Sequence, residues 1–215
     1  MARLLLDGVT RHYPHATTPA VADVDLDVAD GEVVLVSGPP ESGRTTLLRL
    51  AAGLELPDRG RVLVGDGEDT GPDAADVALV FQNYAIYPHL SVRENISLPL
   101  RRGSRKPKEV ARLVDEVVGL LGLGELTRRP ASALSTSERM RVVLARSVVR
   151  RPDLLLMDEP LANLEPGVRA ELAAQLVAAQ QAFGTTTLCV LSGSEDLAAL
   201  PGRVVRLEEG RLVAG

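Results

Sequence analysis

A glycine-rich stretch has the composition and spacing that bind phosphate. Residues 38–45 read GPPESGRT, close to the pattern G-x-x-x-x-G-K-[ST]. The stretch lies between an apolar run at 33–37 and a helical pattern at 45–52, so backbone N–H groups and the helix N-terminus would face the phosphates. We expect phosphate contacts from the whole loop and the threonine after it: Gly38, Pro39, Pro40, Glu41, Ser42, Gly43, Arg44, Thr45 and Thr46.

One position in this loop departs from the pattern. Arg44 stands where the pattern has lysine. Arginine keeps the positive charge but is planar and bulkier, so the exchange is not conservative at a shaped site. We expect phosphate binding to persist and the alignment of a γ-phosphate to suffer. From this motif alone, a simple glycine turn between a strand and a helix remains the alternative.

A pair of acids follows a second apolar run. Residues 154–160 read LLLMDEP, and a buried strand would deliver both acids to the carboxyl edge of a parallel sheet, where ligands bind. Asp158 is then placed to hold Mg²⁺ together with Thr45, and Glu159 to polarise an attacking water. Two adjacent acids are weak as a signal alone, but they gain weight here because Gln82 ends another strand between the two motifs.

Strand-like and helix-like segments alternate along the chain, which predicts an α/β fold with a parallel sheet. Residues 92–151 are helical in character, and helices are also predicted at 45–52 and 168–183. A closing hairpin is expected around Glu209 and Gly210. The predicted strands are 3–6, 22–28, 33–37, 61–64, 77–81, 154–157, 186–191, 204–207 and 211–213.

Length and composition fit one globular domain of 215 residues with 45% hydrophobic and 25% charged residues. The net charge of −5 argues against a general nucleic-acid binder. No run approaches the ~18 apolar residues of a membrane span, and the first residues are too short an apolar run for a signal peptide. We therefore expect a soluble chain that reaches a membrane only through a partner. The single cysteine, Cys189, is expected to be a buried thiol.

Three longer segments give the chain a family resemblance. Residues 80–100 read VFQNYAIYPHLSVRENISLPL, residues 144–152 read LARSVVRRP, and residues 154–166 read LLLMDEPLANLEP. With the phosphate loop, they resemble ABC-type ATPases over essentially the whole chain, nearest to the ATPase subunits of sugar and other solute importers. The resemblance implies that Gln82 senses Mg²⁺ and the γ-phosphate. It also implies that Tyr13 stacks on adenine, although a packed tyrosine at a strand end is the alternative.

The resemblance also implies an architecture and partners. A P-loop NTPase (RecA-like) core with a β-subdomain would span 1–81 and 152–215, and a helical lobe 82–151. Two subunits would pair head to tail, each ATP with its Mg²⁺ lying between one phosphate loop and the signature motif of the other subunit. Transmembrane permease subunits would dock near residues 81–100, at the cytoplasmic face of the cell membrane. No C-terminal regulatory domain is expected.

The signature motif departs from the family pattern. The family has LSGGQ where residues 134–138 read LSTSE. Ser135 keeps one hydroxyl for the γ-phosphate. Thr136 and Ser137 replace two glycines and would crowd a loop that presses its backbone against phosphate. Glu138 replaces glutamine and places a negative charge near a polyphosphate.

The position of the switch histidine departs as well. The segment 184–196 places Ser192 there, and serine cannot link phosphate, water and Glu159 as an imidazole does. The aspartate of the loop after the acids becomes Glu165. Phosphoryl transfer depends on positioning and electrostatics, and losing one such contact costs ~10²–10³ in rate. We therefore expect weak or absent hydrolysis by the isolated chain.

Three hypotheses follow from these patterns. The chain is an altered but active ATPase subunit that drives solute transport, or a catalytically degenerate module that pairs with an intact ATPase subunit. The third is an ABC-type protein without a membrane partner that acts on ribosomes or DNA. Proteins of the third kind usually carry two such domains or a long coiled insertion, and neither is seen. The choice between homodimer and heterodimer stays open.

Overall fold

A computed structural model of the chain describes residues 2–65, 75–80, 86–101, 105–162 and 164–213. Strands and helices alternate along these segments, and three short 3₁₀ turns lie in the helical region between 98 and 133. The strands are β1 Leu4–Arg11, β2 Val21–Val28, β3 Val33–Ser37, β4 Arg59–Val64, β5 Val77–Val80, β6 Leu154–Asp158, β7 Thr186–Val190, β8 Arg203–Glu208 and β9 Arg211–Val213. The helices are α1 Arg44–Ala51, α2 Val92–Ser97, α3 Pro107–Leu120, α4 Thr136–Val148, α5 Pro166–Phe183 and α6 Ser194–Ala199.

The larger sheet has six strands in the order β5-β6-β7-β3-β8-β9. All neighbouring pairs are parallel except β8 and β9, which form the predicted hairpin. The side chains of β6 are buried from Leu154 to Met157, and those of β7 along its whole length. Helices cover both faces of such a sheet, which explains why these strands are continuous apolar runs in the sequence. The parallel sheet predicted from the sequence is confirmed.

The smaller sheet is antiparallel, with three strands in the order β2-β1-β4. Strand β2 alternates between buried Val24, Leu26 and Val28 and exposed aspartates. This alternation is typical of a sheet with one face on a core and one in water. The buried face packs in a single cluster with β3 and α1, so the small sheet supports the loop that joins them.

Helices α2, α3 and α4 pack together on a second hydrophobic cluster. In α3, Leu113, Val114, Val117 and Val118 form the buried stripe that the helical spacing predicts. Helices α2 and α4 each begin with a serine whose hydroxyl accepts a hydrogen bond from a glutamate N–H three residues later. These capping boxes fix where both helices start.

Several element boundaries differ from the sequence prediction: β1 continues to Arg11 although the prediction ends at residue 6, and β4 begins at Arg59 although the prediction begins at 61. Helix α5 begins at Pro166, two residues earlier than predicted, because proline is well tolerated in a first helical turn. Helix α6 was not predicted. It has six residues and little apolar periodicity, and an ion pair of 3.1 Å between Asp196 and Arg169 of α5 holds it in place. Over the described residues, no helix is long and apolar enough to cross a membrane.

Candidate nucleotide-binding site

The phosphate loop joins β3 to α1, and its two glycines are required by close backbone contacts. A Cβ atom on Gly38 would lie 2.1 Å from the carbonyl oxygen of Leu207. At Gly43, where φ is 98°, a Cβ atom would lie 1.9 Å from the carbonyl oxygen of Ala20. Neither position accepts another residue without movement of the backbone. The loop therefore packs closely between the small sheet and the β8–β9 hairpin.

The remaining loop residues divide into an exposed rim and a buried floor. Pro39, Pro40 and Glu41 are exposed. Ser42 is buried, and its hydroxyl has no hydrogen-bond partner among the described residues. The carbonyl oxygen of Ser42 accepts a hydrogen bond of 3.0 Å from the N–H of Gly210. The floor is thus tied to the β8–β9 hairpin.

Arg44 starts α1 and points across the site to the ends of β6 and β7. Its Nη1 donates to Oε1 of Glu159 at 3.1 Å and to the carbonyl oxygen of Leu191 at 2.6 Å. The side chains of Arg44 and Glu159 are only 10% and 12% exposed. The sequence predicts that both residues border one site, and the structure places them in direct contact.

Asp158 and Thr45, the two residues expected near Mg²⁺, are also in contact. Thr45 donates a side-chain hydrogen bond to Asp158, which lowers the pKa of that carboxyl group. Burial and the adjacent charge of Glu159 outweigh this contact and the charge of Arg44, so the pKa of Asp158 is raised overall. A cation bound at this place would lower the pKa of Asp158, because it would stabilise the charged carboxylate. The donor set, one hydroxyl and one carboxylate, consists of the oxygen ligands that Mg²⁺ prefers.

Ser192 is the second residue after β7 and lies opposite Glu159. Its backbone N–H donates to Oε2 of Glu159 at 3.0 Å, and the residue is exposed. The backbone of Glu159 is in the left-handed region, with φ of 53°, and its N–H donates to the carbonyl oxygen of Val190. Glu159 is therefore held to the end of β7 by both its backbone and its side chain.

Tyr13 lies beside the phosphate loop, but its hydroxyl group is already engaged. The oxygen is 2.8 Å from Oε2 of Glu55 and 3.3 Å from Oγ1 of the buried Thr46. The guanidinium of Arg11 stands over the ring, 5.4 Å from its centre. The polar end of Tyr13 and one face of its ring are thus fixed by protein groups, so an adenine would have to stack on the other face.

Ser135 lies in the signature segment, at the start of α4. Its hydroxyl accepts the N–H of Glu138 at 3.3 Å, and its own N–H donates to Glu138 Oε2 at 2.7 Å. Hydrogen bonds from Ser135 lower the pKa of Glu138; the bond from the backbone N–H has the larger effect and the bond from the hydroxyl group the smaller. The expected negative charge is therefore present, and it is folded back onto the first turn of the helix.

Gln82, predicted to act at the site, falls within 81–85 and lies outside the described residues. Sequence reasoning missed Glu55, which accepts hydrogen bonds from Tyr13, Arg11 and Arg49 beside the loop. No pattern marks Glu55 as special, because an acid shortly after a helix is usually solvated. It also missed the carbonyl group of Leu191 as a partner of Arg44, which no side-chain pattern can reveal.

Comparison with known proteins identifies a matching family and matching relatives. The family described as ABC transporter matches residues 21–162. The diacetylchitobiose uptake system ATP-binding protein MsiK of Streptomyces coelicolor is 39% identical over 99% of this chain. The trehalose/maltose import ATP-binding protein MalK of Thermococcus litoralis is 40% identical, again over 99% of this chain. The chain spans 57% and 59% of these two relatives, little more than half of their length.

Solved structures show the same fold. A dimeric ATP-binding cassette in a post-hydrolysis state with ADP and Pi has a TM-score of 0.82 and 25% identity, over 98% of this chain and 97% of that one. A subunit of the Clostridium perfringens complex cbiONQ has a TM-score of 0.88 over 98% of this chain and 86% of its own, and at 24% identity this likeness concerns the fold alone. The chain therefore belongs to the ABC transporter family, as a nucleotide-binding domain with the P-loop NTPase fold.

Proposed function

We propose that this chain is the ATP-binding subunit of an ABC transporter and couples the binding of Mg·ATP, with slow hydrolysis, to solute transport through a membrane partner. One observation carries the proposal. The phosphate loop between β3 and α1 meets Asp158 and Glu159 at the same edge of the sheet, with Arg44 bonded to Glu159 across the gap. The carboxyl edge of a parallel sheet is the usual place for a ligand.

Each site residue has a proposed role. The loop from Gly38 to Thr46 would hold the phosphates through backbone N–H groups, with Arg44 as the cation. Thr45, Asp158 and Gln82 would hold Mg²⁺, and Glu159 would orient the attacking water with help from Gln82 and Ser192. Tyr13 would stack on adenine, and Ser135 would reach the γ-phosphate bound to a second subunit. The division into a core at 1–81 and 152–215 and a helical lobe at 82–151 remains part of this proposal.

The partners are proposed from the relatives and from one surface. The relatives named above are ATP-binding proteins of uptake and import systems for sugars, which supports an importer. A cavity of about 860 Å³ opens beside α2 and α4. Arg146 lines it, and its Nη1 has no hydrogen-bond partner in the described part of the chain. Transmembrane permease subunits docking here would place the chain at the cytoplasmic face of a membrane, paired with a second ATPase subunit.

A degenerate, non-hydrolysing module is the second candidate function, and it has specific support. Arg44 and Ser192 both contact Glu159 instead of supplying a lysine and an imidazole. The signature serine is engaged by its own helix through Glu138. These contacts favour slow turnover, although the named relatives give no support for a silent subunit.

Binding and turnover of ATP separate the candidates. We expect Mg·ATP to bind the purified chain, with slow phosphate release that Glu159→Gln abolishes while binding remains. Asp115→Asn is the matched control, because Asp115 is an exposed acid of α3 that pairs with Arg93 and has no proposed role in the site, and it should leave both unchanged. No binding by the intact chain would refute the proposed function. Binding without any turnover that depends on Glu159 would favour the degenerate module.

A further inference from the structure

Three chain segments meet at one carboxylate group. Glu159, directly after β6, accepts from Arg44 of α1 at 3.1 Å through Oε1 and from the Ser192 backbone at 3.0 Å through Oε2. The same Nη1 of Arg44 donates to the carbonyl oxygen of Leu191 at 2.6 Å. These bonds form a closed ring that joins the start of α1 to the ends of β6 and β7. Each oxygen of the carboxylate is therefore already committed to a protein donor.

The ring is strong because it is shielded and charged. The two side chains are 10% and 12% exposed, so solvent screens their attraction little. Hydrogen bonds between ionised groups are roughly twice as strong as neutral ones. Separating a shielded pair without replacement leaves each charge uncompensated. Arg44 can therefore leave Glu159 readily only when another anion takes its place.

We propose that the contact between Arg44 and Glu159 is a latch that holds the nucleotide-free site closed and that a nucleotide phosphate opens by competing for Arg44. The inference rests on the proposed function, because it needs a phosphate at the loop. Opening frees Oε1 of Glu159, the group proposed to orient water. Arg44 thus couples occupancy of the phosphate loop to the availability of Glu159.

The backbones of Glu159 and Arg44 are both anchored, so the latch can open only through movement of side chains. The N–H of Glu159 donates to Val190 at 3.0 Å, which anchors the residue to β7. Arg44 lies at the first position of α1, whose buried Leu47 and Leu48 hold the helix in the core. Neither backbone can follow the other, so the latch opens through side-chain rotation. A single guanidinium nitrogen, Nη1 of Arg44, donates to both the carbonyl and the carboxylate, so rotation of one side chain breaks both bonds.

Affinity for ADP without Mg²⁺ tests the latch. ADP places a β-phosphate at the loop, and chelation of metal removes any effect of Glu159 through Mg²⁺. We expect Glu159→Gln to tighten ADP binding about fivefold or more, the size of a coupled pair. Glu195→Gln removes an exposed negative charge that pairs with Arg169 and not with Arg44, and it should tighten binding less than about twofold. In the Arg44→Gln background, Glu159→Gln should lose its effect.

Thermal unfolding without nucleotide gives an independent arm. Each single substitution, Arg44→Gln or Glu159→Gln, should lower the melting temperature. The melting temperature of the double variant should fall by less than the sum of the two single decreases. Equal effects of Glu159→Gln and Glu195→Gln on ADP affinity, or additive shifts in the melting temperature, would overturn the latch. An absence of nucleotide binding in every variant would instead refute the proposed function, and with it the latch.

Discussion

Gly43 shows how one residue connects the small sheet to the phosphate loop. Its φ of 98° lies in a region that other residues rarely adopt, and the carbonyl oxygen of Ala20, just before β2, occupies the space of a side chain. The contact brings the small sheet against the start of α1. A change here therefore affects stability and the site together.

We predict that Gly43→Ala destabilises the chain by at least about 2 kcal/mol, from backbone strain and steric overlap. It should also abolish ATP binding, because the loop must move away from Ala20. Gly119→Ala is the matched control: no atom lies within 4 Å of a Cβ atom there, and Gly119 lies in α3. The free energy of unfolding of the Gly119→Ala control should rise by up to about 1 kcal/mol, because alanine has the higher helix propensity. Chemical denaturation measures both, and equal effects would contradict the steric argument.

Asp158 combines a proposed role in binding with a cost to stability. Burial and Glu159 raise its pKa above the usual 3.8, so the folded chain holds the proton more tightly than the unfolded chain does. The stability from this group is full below pH 3.8 and is lost as the pH rises through the folded value. At neutral pH, the charged group therefore destabilises the nucleotide-free fold.

We predict that Asp158→Asn raises the melting temperature of the nucleotide-free chain by about 2–4 °C, the shift that ~1 kcal/mol gives at this size. The same change should remove the effect of Mg²⁺ on ATP affinity. Scanning calorimetry at pH 7 and titrations with and without Mg²⁺ measure the two effects. A lower melting temperature would show that Asp158 stabilises the fold instead.

At the scale of single residues, the sequence predicts which side chains face the site but not how they pair. Arg44, Asp158 and Glu159 were expected at one edge because parallel strands end there. The bond from Arg44 to Leu191 depends on the register of β3 against β7, in which Val36 pairs with Val190. Register between strands 150 residues apart leaves no pattern that one sequence can show.

Among the elements, α4 links helix capping to the altered signature. Ser135 and Glu138 satisfy each other's backbone N–H groups, as Ser91 and Glu94 do at α2. The family glutamine in place of Glu138 could make the same bonds but would carry no charge. The altered residue therefore strengthens the cap while it adds a negative charge to the surface proposed to meet a nucleotide.

We predict that Ser135→Ala lowers the free energy of unfolding by about 1 kcal/mol, the usual loss of a capping side chain. Ser91→Ala is the control, because it removes the same cap at α2, outside the proposed signature surface. If Ser135 meets nucleotide in a dimer, only Ser135→Ala should also weaken ATP-dependent dimerisation. Denaturation and light scattering measure the two effects, and a stable Ser135→Ala variant would contradict the role of the cap.

The elements themselves were largely predictable, for physical reasons that vary along the chain. Strands β3 and β6 stand out because burial on both faces requires continuous apolar residues, and β2 because one exposed face gives strict alternation. Helix α6 escaped prediction because contacts of Asp196 with Arg169, far away in sequence, stabilise it.

At the scale of the whole molecule, two hydrophobic clusters stabilise different sets of elements. One joins the small sheet, α1 and the centre of the large sheet, and it fixes the phosphate loop. The other joins the helical region to β5, β6 and α5, and it carries Ser135 and the cavity beside Arg146. The segments between the clusters include β6 and β7, whose ends hold Glu159 and Ser192. Loop, acids and helical region therefore share one framework.

The sequence predicts this framework through its motifs. The phosphate loop, the segment 80–100 and the acids after β6 follow each other along the chain in the order typical of the family. The sequence cannot predict what the altered residues do, because Arg44 and Ser192 act through geometry that the family pattern does not contain. We propose that this site binds Mg·ATP while Arg44 and Ser192 slow its turnover.

The most direct test measures ATP binding and steady-state phosphate release in the same sample, for the unaltered chain and for the double variant Arg44→Lys, Ser192→His. We expect tight ATP binding by both proteins and slow phosphate release by the unaltered chain. The double variant should release phosphate about 10²-fold faster or more, because one transition-state contact changes the rate by that much. Rapid release by the unaltered chain, with no gain in the double variant, would contradict it. Arginine and serine would then belong to a fully working ATPase.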